Sequence, residues 1–340
     1  YYASRGLGDV YKRQLLSNGT YCLAVSEAGQ SFARWHALSV CRRAPRSDPT
    51  AGPAVRLETD GFTGPLLPGT ADGAQWRFTV RAVQFTTRHG DVTAVQTLTV
   101  PGRANGEVRA LTLSSPSGIE GTVRFVFEAV LAPWEDYVSH PAFARLGFQS
   151  VLRRDALLLR HLGRGEKPEA WLCAACDRPG TWRAEGPVPG WLRAGRVELT
   201  VPVQAAPDTP WRVRFALGVG AREDDAFTAA QRALVLPPAM AAALPEELAA
   251  QYGITGAELD GAMAAVSPLL FPAVAADAAP EQMARPTLWA QGISGDLPVW
   301  CAEAERGVLR QWALLRALGV GCDLALRSGD GGDYQQPTAG

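Results

Sequence analysis

The sequence predicts a mainly β protein: a large antiparallel sandwich followed by a helical region. Three observations carry this expectation. From about residue 15 to 220 the dominant hydrophobic period is two, the signature of strands with one buried face. Clusters of Gly, Pro, Ser and Asp punctuate those runs, with almost no helical spacing between them. Beyond residue 222 the period lengthens to that of helices.

The strands follow in order. Trp76–Thr87 and Val92–Val100 are β-branched and aromatic runs joined by Arg88-His89-Gly90-Asp91, a hairpin turn in which Gly90 supplies a positive φ. Val108–Leu113 and Thr122–Leu131 repeat the arrangement across Ser114–Gly118. Val197–Val203 and Trp211–Val219 are split by Gln204–Pro210, whose prolines stop any helix. Many strands with Gly/Pro turns argue for two packed sheets.

The spacing then predicts a helix over Glu223–Leu234, with acids in its first turn where the dipole favours them and Pro237-Pro238 at its end. Residues 239–285 are Ala-rich with helical spacing, broken by Pro245, Pro268, Pro272 and Pro280. Glu303–Leu318 reads as a helix with Val308, Leu309, Trp312, Leu315 and Leu318 on one face, closed by Gly319 and Gly321, and Cys322–Leu326 reads as a strand. The divisions are a sandwich over 15–222, a helical linker over 223–285 and a further region over 286–340. No repeat of 20–50 residues is present.

Composition narrows the function classes. Of 340 residues, 47% are hydrophobic and 20% charged, enough apolar material for a core and too much for a disordered chain. The net charge is −1 with no basic stripe, so nucleic acid is not an expected partner. No apolar run is long enough to cross a membrane as a helix. Lys12 and Lys167 are the only lysines, a bias that fits GC-rich bacterial coding. Six cysteines without a secretory signal point to free thiols in a reducing compartment. The opening Ser4–Gln14 resembles sequencing-adapter read-through, so residues 1–14 are set aside, and the polar end from Ser328 suggests a piece of a longer protein.

Several motifs fail on inspection. Cys173-Ala-Ala-Cys176 lacks a second ligand pair, and His36, His89, His140 and His161 are scattered singly, so no metal site is expected. Gly218-Val-Gly220-Ala-Arg-Glu223 follows a strand and opens a helix, but Glu223 stands where the dinucleotide fingerprint needs its third glycine, and no βαβ unit surrounds it. Gly292-Ile-Ser294-Gly295-Asp296 departs from the nucleophile elbow because Gly295 directly follows the serine. The acidic pairs Glu135-Asp136, Asp224-Asp225 and Glu246-Glu247 read as solvated surface, not as the two carboxylates of a glycosidase.

Taken in order, a set of segments is similar to glycoside hydrolase family 94. They are Leu16–Tyr21, Glu27–Trp35, Arg88–Asp91, Val108–Leu113, Phe127–Ala132, His140–Phe143 and Phe215–Glu223. The most specific is Leu288-Trp-Ala-Gln-Gly-Ile-Ser-Gly-Asp-Leu-Pro298, followed by a Trp-bearing helix and Val320–Ala325. Within that family the chain most resembles the phosphorylase-like C-terminal part of cyclic β-1,2-glucan synthases. The likeness covers about residues 15–336 and departs from the family over Pro45–Gly73, a Gly/Pro-rich stretch where family strands are shortened.

The resemblance implies a galactose-mutarotase-like supersandwich, a helical linker and the start of an (α/α)6 barrel in the last region. The family inverts at C1 while cleaving β-glucosidic bonds with inorganic phosphate as co-substrate. No metal or organic cofactor is implied. The barrel's general acid, an Asp, is expected beyond residue 340, so no catalytic residue is assigned and the chain alone is expected not to phosphorolyse. A β-glucan oligosaccharide and the barrel are the expected partners, and a homodimer is compatible. The expected location is cytoplasmic, with a membrane reached only through an upstream region of a cyclic glucan synthase. Exposed indoles stack on pyranose faces, and Arg34, Trp35, Asp296 and Tyr334 are the candidate substrate-binding residues. The alternative is a stand-alone carbohydrate-binding or structural β-sandwich.

Overall fold

The computed structural model describes residues 13–42, 52–71, 73–133, 136, 147–162, 169–184, 191–192, 195–237, 240–270 and 297–327. The chain divides into two compact units, one over Asp9–Glu246 and one beginning at Glu247.

The first unit is the expected antiparallel sandwich. Its first sheet contains β1 (Arg13–Ser17), β2 (Tyr21–Ser26), β3 (Ser31–Trp35), β4 (Leu38–Cys41), β5 (Ala54–Thr59) and β6 (Phe62–Pro65). The second sheet begins with β7 (Gln75–Phe78), β8 (Ala82–His89), β9 (Val92–Thr99) and β10 (Gly106–Ser114). The chain returns to the first sheet in β11 (Ile119–Ala132) and to the second in β12 (Phe148–Arg153), β13 (Ala156–His161) and β14 (Ala170–Cys176). β15 (Thr181–Ala184) and β17 (Arg196–Ala205) complete the first sheet, and β16 (Trp191–Leu192) and β18 (Trp211–Gly220) the second.

Each sheet has nine strands among the described residues. The first runs β1-β2-β3-β4-β11-β17-β15, with β5 on β11 and β6 on β5. The long β11 takes β17 along one edge and β5, then β4, along the other. The second runs β16-β12-β13-β14-β18-β10-β9-β8-β7, so the last strand of the sandwich in sequence, β18, lies between β14 and β10.

Alternation on these strands builds the core. Phe125 of the first sheet stacks on Phe215 of the second at a centroid separation of 5.2 Å. On β10, Leu111 and Leu113 face this core, while Val108 faces the opposite side of the second sheet. That outer side is covered by α1 (Glu223–Val235) through Ala226, Phe227, Ala230 and Ala233. Burying this much apolar surface is the main favourable term for the fold.

Several boundaries differ from the sequence expectation. β1 begins at Arg13 and pairs Gln14 with Val25, inside the stretch set aside as foreign. The Gly/Pro-rich stretch before Gly73 contains the hairpin β5–β6. Trp76–Thr87 is two strands, because Thr79 Oγ1 and its backbone close a turn onto Ala82. Gly90 has φ of +63° in the β8–β9 hairpin, as its turn position requires.

After the sandwich come α2 (Leu244–Gln251) and α3 (Gly256–Leu270). The second unit then contains β19 (Val299–Glu303), α4 (Arg306–Ala317) and β20 (Asp323–Arg327), with β19 and β20 parallel. The described part of 286–340, residues 297–327, is therefore a βαβ unit, in which the expected helix and following strand are joined by the additional strand β19. Glu303 belongs to the strand, and the buried face of α4 centres on Leu314 and Leu315, while Leu309 is 47% exposed. No helix among the described residues is long and apolar enough to cross a membrane.

Candidate functional site

A polar cleft of about 560 Å³ opens on the sandwich unit where four segments meet: the β1–β2 turn, the end of β3, the β9–β10 loop and the first turns of α1. The volume lies in the range of small-ligand sites. Asn18 ties the first and third of these segments together. Its Nδ2 donates to the carbonyls of Pro101 and Ala104, each at 2.9 Å, and its Oδ1 accepts from the Tyr21 amide at 2.8 Å. Thr20 Oγ1 donates to Asn105 Oδ1 at 2.6 Å, which turns the Asn105 Nδ2 to the other side. The Asn105 carbonyl accepts from the Val219 amide at 2.8 Å, fixing the loop to β18.

Trp35 lines the cleft at the end of β3. It packs against the core, its ring lies 5.3 Å from that of His36, and its buried Nε1 has no hydrogen-bond partner among the described residues. The helical side carries Asp224 and Asp225, both exposed. Asp225 is gripped by Arg222 through Nε at 3.1 Å and Nη2 at 3.2 Å, and this pairing holds its carboxyl below the usual carboxylate range. Asp224 accepts from Arg153 Nη1 at 2.6 Å, and the Arg153 guanidinium lies 4.3 Å from the Phe227 ring centroid. Arg103 and Arg232 line the same cleft and have no ion-pair partner among the described residues.

The candidate pair Arg34 and Trp35 is separated. Successive residues of a strand face opposite sides of the sheet, and Arg34 is not part of the cleft lining. β3 is also paired on both sides, with β2 and β4, so it offers no open edge. Asp296 and Tyr334 lie outside the described residues, as do His140, Ser294 and Glu135. The cleft residues Asn18, Arg103, Asn105, Thr228 and Arg232 went unnoticed in the sequence, since loop and helix polar residues far apart in the chain carry no spacing signal.

Other candidate groups have structural roles. Cys173 and Cys176 sit three apart on β14, which sends Cys173 to the α1 side and Cys176 toward the sandwich core. Burial pushes each thiol up to about 12. His89 is buried, bonds Thr87 Oγ1 at 3.1 Å and lies 4.1 Å from the Phe62 ring, and burial lowers its pKa. His161 stacks on Phe148 at 4.6 Å. Both strand neighbours of β18 are antiparallel to it, which removes the dinucleotide-loop geometry at Gly218–Glu223. An added Cβ at Gly218 would stand 2.2 Å from the Ala230 amide nitrogen, so the glycine serves helix-on-strand packing.

One polar group lies inside the sandwich. Arg109, 1% exposed, donates from Nε and Nη2 to Glu107 Oε1 at 2.9 and 2.7 Å, from Nη2 to Ser31 Oγ at 2.7 Å, and from Nη1 to the Pro53 carbonyl at 3.1 Å. Tyr21 donates its hydroxyl to Glu107 Oε2 at 2.8 Å. Burial raises the Tyr21 phenol well above its ordinary value, with the Glu107 charge adding to the shift. The network joins β10 of the second sheet to β2 and β3 of the first.

Two packed nine-stranded antiparallel sheets, one of them covered by a helix, form the β-supersandwich that the family match identifies as a glycosyl hydrolase domain. Residues 10–185, over half of the chain, match the family described as "Glycosyl hydrolase 94, supersandwich domain", and the chain belongs to that family.

No curated protein matches the chain. Among solved structures, a protein assigned as a kojibiose phosphorylase from human microbiome is 5% identical, with 72% of this chain and 34% of that one covered at a TM-score of 0.40. A bacterial glucoamylase complexed with acarbose is 6% identical, covers 68% of this chain and 37% of its own, and has a TM-score of 0.42. A galactose mutarotase related enzyme from Lactobacillus acidophilus is 10% identical over 62% of this chain and 97% of its own, with a TM-score of 0.34. The chain thus spans little more than a third of the length of the first two.

Proposed function

We propose that the chain is the front part of an enzyme acting on β-glucans, of the glycan phosphorylase or cyclic glucan synthase type. The match of residues 10–185 to the supersandwich family carries this reading. The sandwich scaffolds a helical barrel that performs inverting phosphorolysis or glucosyl transfer, with inorganic phosphate as co-substrate and no organic cofactor. The enzyme works in the cytoplasm, or at its membrane face if it is a cyclic glucan synthase.

A long sequencing read through the locus tests this. A helical barrel encoded downstream with an Asp-bearing acid motif is expected, and membrane spans upstream would favour the cyclic glucan synthase. A stop codon soon after Gly340 would overturn the enzyme reading. A parallel assay mixes the purified chain with β-glucan oligosaccharides and phosphate. No glucose 1-phosphate is expected, and its release would show that the chain is catalytic by itself.

A further inference from the structure

The cleft between Trp35 and α1 is not explained by folding alone. Its floor is braced by Asn18 and by the Thr20–Asn105 hydrogen bond, which fix the backbone of the β9–β10 loop. The bracing leaves polar groups unused. Arg103 and Arg232 have no partner among the described residues, Thr228 faces the same space, and Asn105 Nδ2 is turned away from its only side-chain bond. Charged side chains left unpaired in a cleft are available to a ligand at no loss of internal contacts.

From this arrangement we infer that the cleft binds a neutral pyranoside, one end of a glycan chain, laid against Trp35. The lining carries two cations, Arg103 and Arg232, beside two carboxylates, Asp224 and Asp225, that Arg153 and Arg222 hold from outside it. It offers donors and acceptors side by side, which a sugar hydroxyl uses together because it both donates and accepts. Asp224 and Asp225 keep acceptor lone pairs beyond those taken by Arg153 and Arg222. The Trp35 ring supplies an apolar wall for the C–H face of the sugar. Arg222 and Arg153 act as positioning residues, since they orient the two carboxylates from outside the lining.

The inference rests on the carbohydrate reading above, and its test separates the two. Isothermal titration of the full chain uses four probes: a β-1,2-linked glucotetraose, cellotetraose, a β-linked mannotetraose and glucose 1-phosphate. Thr228→Lys, which fills the cleft from the exposed face of α1, and Arg232→Ala are compared with the unaltered chain, with thermal melts as a check on folding. A glucotetraose should bind, and both variants should weaken it by about tenfold or more at unchanged Tm. Mannotetraose binding with the same sensitivity would uphold the cleft and overturn the β-glucan assignment. Glucan binding indifferent to both variants would overturn the cleft and leave the enzyme reading standing. Tighter binding of glucose 1-phosphate than of any neutral probe, or no binding of neutral probes at millimolar concentration, would overturn the inference.

Discussion

Glu107 and Arg109 stand two residues apart on β10 and form an ion pair of 2.7 Å with side chains 1% and 2% exposed. A strand's period of two puts both on the face that carries Leu111 and Leu113 into the core. The pair is therefore surrounded by sandwich packing, and its remaining bonds go to Tyr21, Ser31 and Pro53 in and beside the first sheet. It links the two sheets by polar contact at a defined register. Removing one partner of such a pair leaves a buried charge uncompensated. Arg109→Met should cost about 3–5 kcal/mol in urea unfolding. Combining it with Glu107→Gln should reveal a coupling of about 1–3 kcal/mol. Strict additivity of the two losses would contradict the network.

Glycine at 218 permits α1 to lie on β18 at backbone contact, since an added Cβ would meet the Ala230 amide nitrogen at 2.2 Å and the Ala226 carbonyl at 2.6 Å. Gly218→Ala is expected to destabilise by about 1–3 kcal/mol, the range for overpacked sites. Gly61→Ala, where a Cβ meets nothing within 4 Å, is the matched control and should stay within about 0.5 kcal/mol. Equal losses at the two positions would refute the packing argument.

Alkaline pH should unfold the protein through its buried thiols and phenol. Burial raises Cys22 to about 11 and Cys173 to about 12, and Tyr21 rises well above its ordinary value. In the unfolded chain a thiol loses its proton near about 8.5. Between that value and the folded one the native state holds more protons, so stability is full below pH about 8.5 and falls as pH rises, by up to about 1.4 kcal/mol per unit for each such group. Thermal melts between pH 8 and 11 should show a falling Tm, with a shallower slope in Cys22→Ala. A flat profile would argue against these burials.

Asn18 makes two 2.9 Å bonds to the β9–β10 loop and accepts from the Tyr21 amide. Asn18→Ala should lower stability by about 1–2 kcal/mol and speed hydrogen exchange of the loop amides more than those of β10. If the loop amides exchanged at their original rate, the brace would not be what holds the cleft.

The sandwich was legible because its strands alternate. The runs ending at His89, Thr99, Ala205 and Gly220 are each bounded by turn residues, and α1 begins where the period changes. The interior network was not legible. Nothing local in the sequence around Glu107 and Arg109 shows that Ser31 and Tyr21 meet them from the other sheet. β19 was missed because Val299-Trp-Cys-Ala-Glu303 is stabilised by a parallel partner twenty residues on, not by a hairpin turn. At the candidate site Trp35 was visible as an aromatic beside a charge, but Arg34 went with it only in sequence. The cleft depends on four segments brought together by sheet order, and sheet order is the property that periodicity does not encode.

The place of β18 between β10 and β14 sets an order on biosynthesis. While the ribosome is adding residues up to Pro210, β10 and β14 have emerged with facing edges unpaired. Unpaired edges recruit other strands, including those of a second nascent copy. The interval closes when Trp211–Gly220 slides into the gap and α1 follows onto its outer face. Translation pausing or truncation before Trp211 therefore leaves a half-sheet with two open edges, and a chaperone that shields strands would be needed most in that window.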